Sequence, residues 1–386
     1  MKLDLLDGEW YAGDPFPGYA WLREHAPVWR DEANGLWGVS RHADLLEVSR
    51  SPNRFCSGEG YRPNTAPDQS MISQDDPRHN RQRRLVSKGF TPKQVAGMEA
   101  HCRLVVDELL DAVAERGECD FVQDIAVPLP MIVIAELLGV RVEDRDRLQK
   151  WSDELIKGAD GKIVDGVIEQ FTDFCGYITE VIEARRAEPK DDLTSILVHA
   201  TIDGEPGFDL DGLISELLLI MIGGNETTRN VISGAMEALS ANGDQRKALV
   251  DDPSLLPVAA EEFLRWVTPI VNFQRTVVED TELAGVPLAA GERLLLLYGS
   301  ANRDEAVFGP TAAEFDIRRD PNPHVAFGFG THFCLGASLA RLEIKVMYEE
   351  LLRRLPGIEQ SGPAERTPSA FIRGIHSMPV TFTPAN

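Results

Sequence analysis

From about residue 80 onward, apolar residues recur at spacings of three and four over long windows, the period of a helix with one buried face. The stretch "VAGMEAHCRLVVDELLDAVAER", residues 95–116, is one such window, and "LISELLLIMIGGNETTRNVISGAMEALSAN", residues 213–242, is another. The first half of the second is unusually apolar, which places it in the protein interior. Alternating or β-branched residues around turn glycines and prolines predict short strands within "APVWRDEANGLWGVS", "QRTVVEDTELAGVPLAAGERLLLLYG" and "MPVTFTP". They are too few to build a dominant sheet. No internal repeat or low-complexity linker interrupts the chain, and "RRAEPKDDL", residues 185–193, reads as an exposed loop between helices. The pattern therefore predicts a mainly α fold in one domain, residues 1–386, with a β-rich N-terminal portion to about residue 75 and a helical body from about residue 76.

Composition narrows the function classes. Thirty-nine basic against 62 acidic residues give a formal charge of -23, so long-range repulsion opposes nucleic acid or an anionic membrane as the main partner. The N-terminus lacks an apolar run flanked by basic residues, and no stretch of about 18 apolar residues occurs, so neither a signal peptide nor a membrane anchor is expected and the cytoplasm is the expected location. The five cysteines, Cys56, Cys102, Cys119, Cys175 and Cys334, are odd in number, scattered and without CxxC spacing, which disfavours a disulfide framework or a zinc ribbon.

Four stretches carry candidate chemistry. In "HVAFGFGTHFCLGASLARLE", residues 324–343, Gly328 and Gly330 permit positive φ, Gly336 removes bulk just after Cys334, and a helical period follows. That arrangement aims backbone N–H groups and a helix N-terminus at one sulfur and favours its thiolate, as a nucleophile or a metal ligand. A buried structural cysteine is the plainer alternative, and His332 alone does not make a zinc site. In "GGNETT", Gly223 to Thr228, two adjacent glycines cost about 1 kcal/mol each in a helix interior. Thr227 can take the carbonyl of residue 223, opening a groove that also carries Glu226; a tolerated kink is the alternative. In "EEFLRW", Glu262 and Arg265 share a helix face, and taken alone they read as a surface ion pair. In "DDPRHNRQRRLVSKGF", His79 and Arg83 lie four apart on a helix opened by Pro77 and can both donate to one anion, or form part of a solvated basic face. Arg275 is a further isolated basic residue.

Together and in this order these stretches resemble a bacterial cytochrome P450, a haem-thiolate monooxygenase. "FGFGTHFCLG" matches the family's cysteine-ligand signature, "GGNETT" its oxygen-activation helix, and "EEFLRW" its Glu-x-x-Arg pair. The resemblance implies the cytochrome P450 fold and haem b as cofactor, with Cys334 as axial thiolate and metal ligand in a loop that includes Phe327, Gly328 and Gly336. It implies that His79, Arg83, Arg275 and His332 hold the haem propionates, that Glu262 and Arg265 fix the meander carrying the ligand loop, and that Gly223 and Gly224 leave room for O2 as cosubstrate. Glu226 and Thr227 become the catalytic proton relay; the family often has aspartate at the first of these positions.

The candidate substrate wall is Met71, Ile72, Ile220, Gly223, Ile270, Val271, Asn272 and Phe371, with Ile372 beside it. Segments such as "GECDFVQDIAVPLPMIVIAELLGV" and "PSLLPVAAEEFLRW" are similar to actinobacterial sterol side-chain hydroxylases and imply a steroid, sterol or other apolar lipid as substrate. No flavin or iron–sulfur domain is expected on the chain, so electrons are expected from NAD(P)H through an external ferredoxin and ferredoxin reductase, with Arg81, Arg84, Arg341 and Lys345 as the docking patch on an expected monomer. A peroxide-using fatty-acid peroxygenase and a non-catalytic haem sensor are the rival classes. The acid and alcohol of Glu226 and Thr227 weigh against both.

Overall fold

The computed structural model describes residues 3–158 and 166–384. Its axis is a central helix, Leu210–Ala241, 32 residues and so about 48 Å long. Asp209 caps its start by accepting from the Gly212 N–H at 2.7 Å. The helix runs between two hydrophobic clusters. Its N-terminal half, with Leu213, Leu217 and Met221, packs among Ile134, Trp151, Phe174 and Ile178. Its C-terminal half, with Val231, Ile232 and Leu239, packs among Val106, Leu110, Phe263 and Met347. "GGNETT" falls where the two clusters meet.

The flanking helices follow from local signals. Thr91 and Gln94 form a capping box in front of Pro92–Ala114. Pro128 opens Pro128–Leu138, and Gly139, at φ 72°, ends it by donating back to Ala135 and Glu136. Phe121–Leu138 is long and apolar enough to cross a bilayer, yet 72% of it is buried against the rest of the fold.

The loop read as exposed at residues 185–193 is tied down. Arg185 still belongs to the helix Val167–Ala187, and its guanidinium reaches the Asp192 carboxylate at 2.5 Å with both side chains largely buried.

The strands expected near the N-terminus join, in one sheet, strands expected within residues 274–299. The five-stranded sheet runs in the order Val28–Asp31, Leu36–Val39, Arg293–Leu297, Asn272–Val277, Phe55–Cys56. Leu36–Val39 pairs in parallel with Arg293–Leu297, with Trp37 opposite Leu294; the other three pairings are antiparallel. The early strands thus need later ones to complete their hydrogen bonds, and the first 75 residues also hold the helices Phe16–His25 and His42–Arg50. A two-residue apolar alternation gives a strand's faces but says nothing about its partner.

Candidate functional site

A cavity of about 350 Å³ opens where the two clusters meet, between the central helix and the loop that precedes the helix Ala337–Arg354. Cys334 faces it. Gly328 at φ 68° and Gly330 at φ 74° shape the loop, and any Cβ at Gly330 would stand 2.3 Å from the Ser49 carbonyl oxygen. Burial pushes the Cys334 thiol up, opposed by the backbone N–H groups of Gly336 and Ala337 and by the cations Arg83 and Arg341. Phe327 lines the cavity beside the sulfur, with the Arg341 guanidinium stacked 4.6 Å from its ring centre.

On the opposite wall the central helix presents Gly223 and Thr227. The Thr227 hydroxyl donates to the Gly223 carbonyl at 2.6 Å. The two glycines have separate reasons. A Cβ at Gly223 meets nothing within 4 Å, so its absence keeps the cavity open. At Gly224 a Cβ would lie 2.3 Å from Ile134 Cδ1, so that glycine lets the helix Pro128–Leu138 approach. Both glycines line the cavity, and Gly224 in addition lets the neighbouring helix pack close.

Glu226 is not in the cavity wall. It points to the far side of the helix, fully buried, where its carboxylate accepts from Ser152 at 2.9 Å and pairs with Arg229 at 2.8 Å. Arg229 in turn reaches the part-exposed Asp153 at 2.9 Å. Burial raises the Glu226 pKa, and Arg229 opposes the rise. Residues 226 and 227 are adjacent and so about 100° apart around the helix, which separates the acid from the alcohol in this conformation.

His79, Arg83 and His332 come together on one side of the cavity, the two imidazoles 4.3 Å apart between ring centres. Burial, helped by Arg275, His79 and Arg83, pushes His332 down to about 2, and burial followed by Arg83 lowers His79. His79 is wholly buried and neither ring nitrogen makes a hydrogen bond; Nδ1 lies 3.7 Å from Asp76. Arg83 donates to the Phe333 carbonyl at 2.6 Å and so ties its helix, Arg78–Val86, to the cysteine loop. Arg275 lies behind the wall rather than in it. It is buried, donates to the Gln274 carbonyl at 2.7 Å and acts on His332 through its charge.

The Glu262–Arg265 pair is the opposite of a surface bridge. Both side chains are wholly buried and joined by two bonds of 2.7 Å. Arg265 also donates to the carbonyls of Asn302, Ala312 and Glu314, and Glu262 accepts from the Asp316 N–H, Arg319 and Asn322. The pair pins residues 302–322, the chain that leads into the cysteine loop.

Of the candidate substrate wall, Met71, Ile72, Ile220, Gly223, Ile270, Phe371 and Ile372 line the cavity. Val271 and Asn272 do not. Val271 packs with Leu5, Tyr11 and Leu297 in the N-terminal cluster, and the Asn272 amide donates to the Ala370 carbonyl at 2.8 Å. The next residue, Phe273, returns to the cavity. Sequence reasoning also missed Tyr61, Tyr298 and two buried carboxyls, Glu216 and Glu343. The signal for both acids was present: each is a charge on the apolar face of a long helix.

Two observations fit the haem that the resemblance implies. A buried imidazole without a hydrogen-bond partner sits beside a second neutral imidazole and an arginine, a donor set for carboxylates. A cysteine sulfur held by backbone N–H groups faces the same cavity.

The cytochrome P450 family model matches residues 249–370. A steroid C26-monooxygenase of Mycobacterium tuberculosis is 46% identical, covering 99% of this chain and 98% of its own. A methyl-branched lipid omega-hydroxylase of Mycobacterium bovis is 38% identical over 95% of this chain and 90% of its own. The solved structure of a Mycobacterium marinum cytochrome P450, CYP268A2, in complex with pseudoionone is similar at a TM-score of 0.91 and 34% identity, with 99% of each chain covered.

Proposed function

The chain belongs to the cytochrome P450 family and is a haem-dependent monooxygenase, and from that premise we propose that it hydroxylates the terminal carbon of a steroid side chain or of a branched lipid. The observation that carries this reading is the cavity: its lining includes Met71, Ile72, Leu218, Ile220, Ile270 and Phe371, a surface that rewards burial of an apolar chain. Whole-length likeness to a steroid C26-monooxygenase supports the steroid, and likeness to an omega-hydroxylase supports attack at a chain end.

The bound haem supplies oxygen activation and insertion of one oxygen atom into a C–H bond. The protein's part follows from its residues. Cys334 would hold the haem iron through its sulfur, with the N–H groups of Gly336 and Ala337 placed to favour its charged form. His79, Arg83 and His332 would hold the haem propionates, the imidazoles as neutral donors and the guanidinium as a charged one. Thr227 keeps a hydroxyl proton in the cavity, and Glu226 receives protons from the Asp153 side through its network with Arg229 and Ser152. Handing a proton to the cavity requires the Glu226 side chain to leave Arg229, which its burial favours by stabilising the neutral acid.

Electrons come from an external ferredoxin. Arg81 and Arg84 are exposed on the helix that Arg83 ties to the cysteine loop, whereas Arg341 is engaged by Glu261 through bonds of 2.6 and 2.8 Å. Lys345 sits 3.6 Å from Glu349 and 3.9 Å from Glu99. The docking cations are therefore chiefly Arg81 and Arg84. Arg81→Glu with Arg84→Glu is expected to slow reduction steeply at low salt and weakly at high salt; an unchanged rate refutes the patch.

The experiment for the whole reading is a Soret titration of the haem-loaded protein with steroids, branched lipids, straight fatty acids and terpenes. Steroids or branched lipids are expected to bind most tightly. The reduced, carbon monoxide-treated protein is expected to absorb near about 450 nm, and a band near about 420 nm would overturn thiolate ligation.

A further inference from the structure

Glu216 is a carboxylic acid in the middle of an apolar stretch, "LISELLLIMI", and its side chain is wholly buried. Its Oε2 accepts the Met71 backbone N–H at 2.9 Å, and its Oε1 has no hydrogen-bond partner. The groups acting on it are that N–H and the Asp68 carboxylate, with no cation among them, and burial pushes it up to about 7. An isolated carboxyl in such a place is costly, so packing alone does not account for it.

Met71 begins a single 3-10 turn, Met71–Ser73, in an otherwise irregular segment between the strand Phe55–Cys56 and the helix Arg78–Val86. The ends of the segment are fixed without Glu216. Asp75 accepts from the N–H groups of Ser57 and Gly58 at 2.8 Å, and the Gln274 N–H donates to the Tyr61 carbonyl at 2.8 Å. Towards the middle, Gln82 holds the Gln69 carbonyl at 3.0 Å. Among the described residues, the hydrogen bond that ties the segment to the central helix is Glu216–Met71. Met71, Ile72 and Asp68 line the cavity on this segment, and Ser215, next to Glu216, lines it from the central helix.

We propose that Glu216 is a positioning residue for substrate selection: by holding the Met71 backbone N–H against the central helix, it fixes where the Met71 and Ile72 side chains stand in the cavity wall, and so which lipids fit and which carbon is presented. This rests on the reading of the cavity as a lipid hydroxylase's. A steroid makes demands on this wall that a small iron ligand does not, so the two probes separate the role of Glu216 from the integrity of the site.

The test uses the haem-loaded full chain and two probes, the tightest steroid or lipid of the panel and imidazole. Glu216→Ala is expected to weaken steroid binding about tenfold, the scale of one buried hydrogen bond that holds the wall in place, and to spread hydroxylation over additional carbons. Imidazole affinity stays within twofold. Glu216→Gln keeps an oxygen for the N–H and is expected to restore binding to within threefold. A second arm removes the donor. Ser70 is already extended, at φ -69° and ψ 158°, so a proline is accommodated after it. Met71→Pro is expected to bind steroid more weakly than Met71→Ala in the parent protein and equally weakly in the Glu216→Ala background.

Wild-type steroid affinity and product pattern in Glu216→Ala, equal losses for both probes, or a proline effect that persists without Glu216 each overturn the proposal. A parent protein that answers to no steroid or lipid at all overturns the functional reading, and the proposal with it.

Discussion

Glu262 and Arg265 on the helix Leu256–Val267 have the same spacing as Glu226 and Arg229 on the central helix, and both pairs are buried, yet their surroundings differ. The first pair is closed: Arg265 is bound to three backbone carbonyls, and Glu262 is held by Arg319, Asn322 and a backbone N–H. The second is open. Arg229 Nε has no hydrogen-bond partner, one guanidinium arm reaches the part-exposed Asp153, and the adjacent Asn225 leaves its amide oxygen unbonded. A fully satisfied pair has one arrangement and fixes the chain around it, whereas a partly satisfied one has alternatives of similar free energy and can move charge.

The strongest way to break this comparison is Arg265→Ala. It strands the Glu262 carboxylate in the interior and is expected to cost about 3–5 kcal/mol, enough to lose the haem-binding loop; a native melting curve and a full band near about 450 nm would remove the distinction. Glu226→Gln is the matching test of the open pair. Arg229 keeps Asp153, so the melting temperature is expected to stay within a few degrees while turnover falls about 100-fold at unchanged steroid affinity. Should the two variants unfold alike, the open pair is structural after all.

A buried carboxyl with no cation sharpens the contrast further. Glu343 on Ala337–Arg354 is wholly buried, Oε2 has no hydrogen-bond partner, and burial alone pushes it up to about 8. Its folded value lies above the ordinary carboxylate value of 4.5, so the fold favours its neutral form; that contribution is complete below 4.5 and lost as pH rises through about 8. Glu343→Gln is therefore expected to melt near the parent at pH 5 and a few degrees above it at pH 8.5. Equal melting at both ends would mean the acid is already compensated.

The smallest expected effect carries the comparison to two neighbours on opposite faces. Ile270→Ala is expected to change steroid affinity several-fold. Val271→Ala is expected to leave it within twofold and to cost about 2 kcal/mol of stability.

What could be read from the chain and what could not divides along the same line. The Cys334 loop, "GGNETT" and the Glu262–Arg265 pair were legible because each is local: positions three or four apart on a helix meet whatever else surrounds them. Glu226 and Arg229 have the same spacing but were not picked out as a pair. Whether a pair is open or closed was not legible, because Ser152 and Asp153 arrive from one distant helix and Asn302 and Ala312 from a distant loop. The mainly helical fold followed from the apolar period, while the sheet's strand order did not. Val271 and Asn272 lie outside the cavity wall because of packing that a strand pattern does not carry. Alternation along a strand assigns two faces, and only the packing of Leu5 and Tyr11 on one side decides which is inward to the cavity. Glu216 was visible as an acid in an apolar run, but the Met71 N–H it holds lies far away in sequence.

The parallel pairing of Leu36–Val39 with Arg293–Leu297 bears on how the chain is made. Synthesis proceeds from the N-terminus, so Trp37 emerges from the ribosome long before Leu294 exists. Until then the early hairpin presents an unsatisfied edge along Leu36–Val39. Completion of the sheet therefore waits for about three quarters of the polypeptide, and the edge along Leu36–Val39 stays open through that interval.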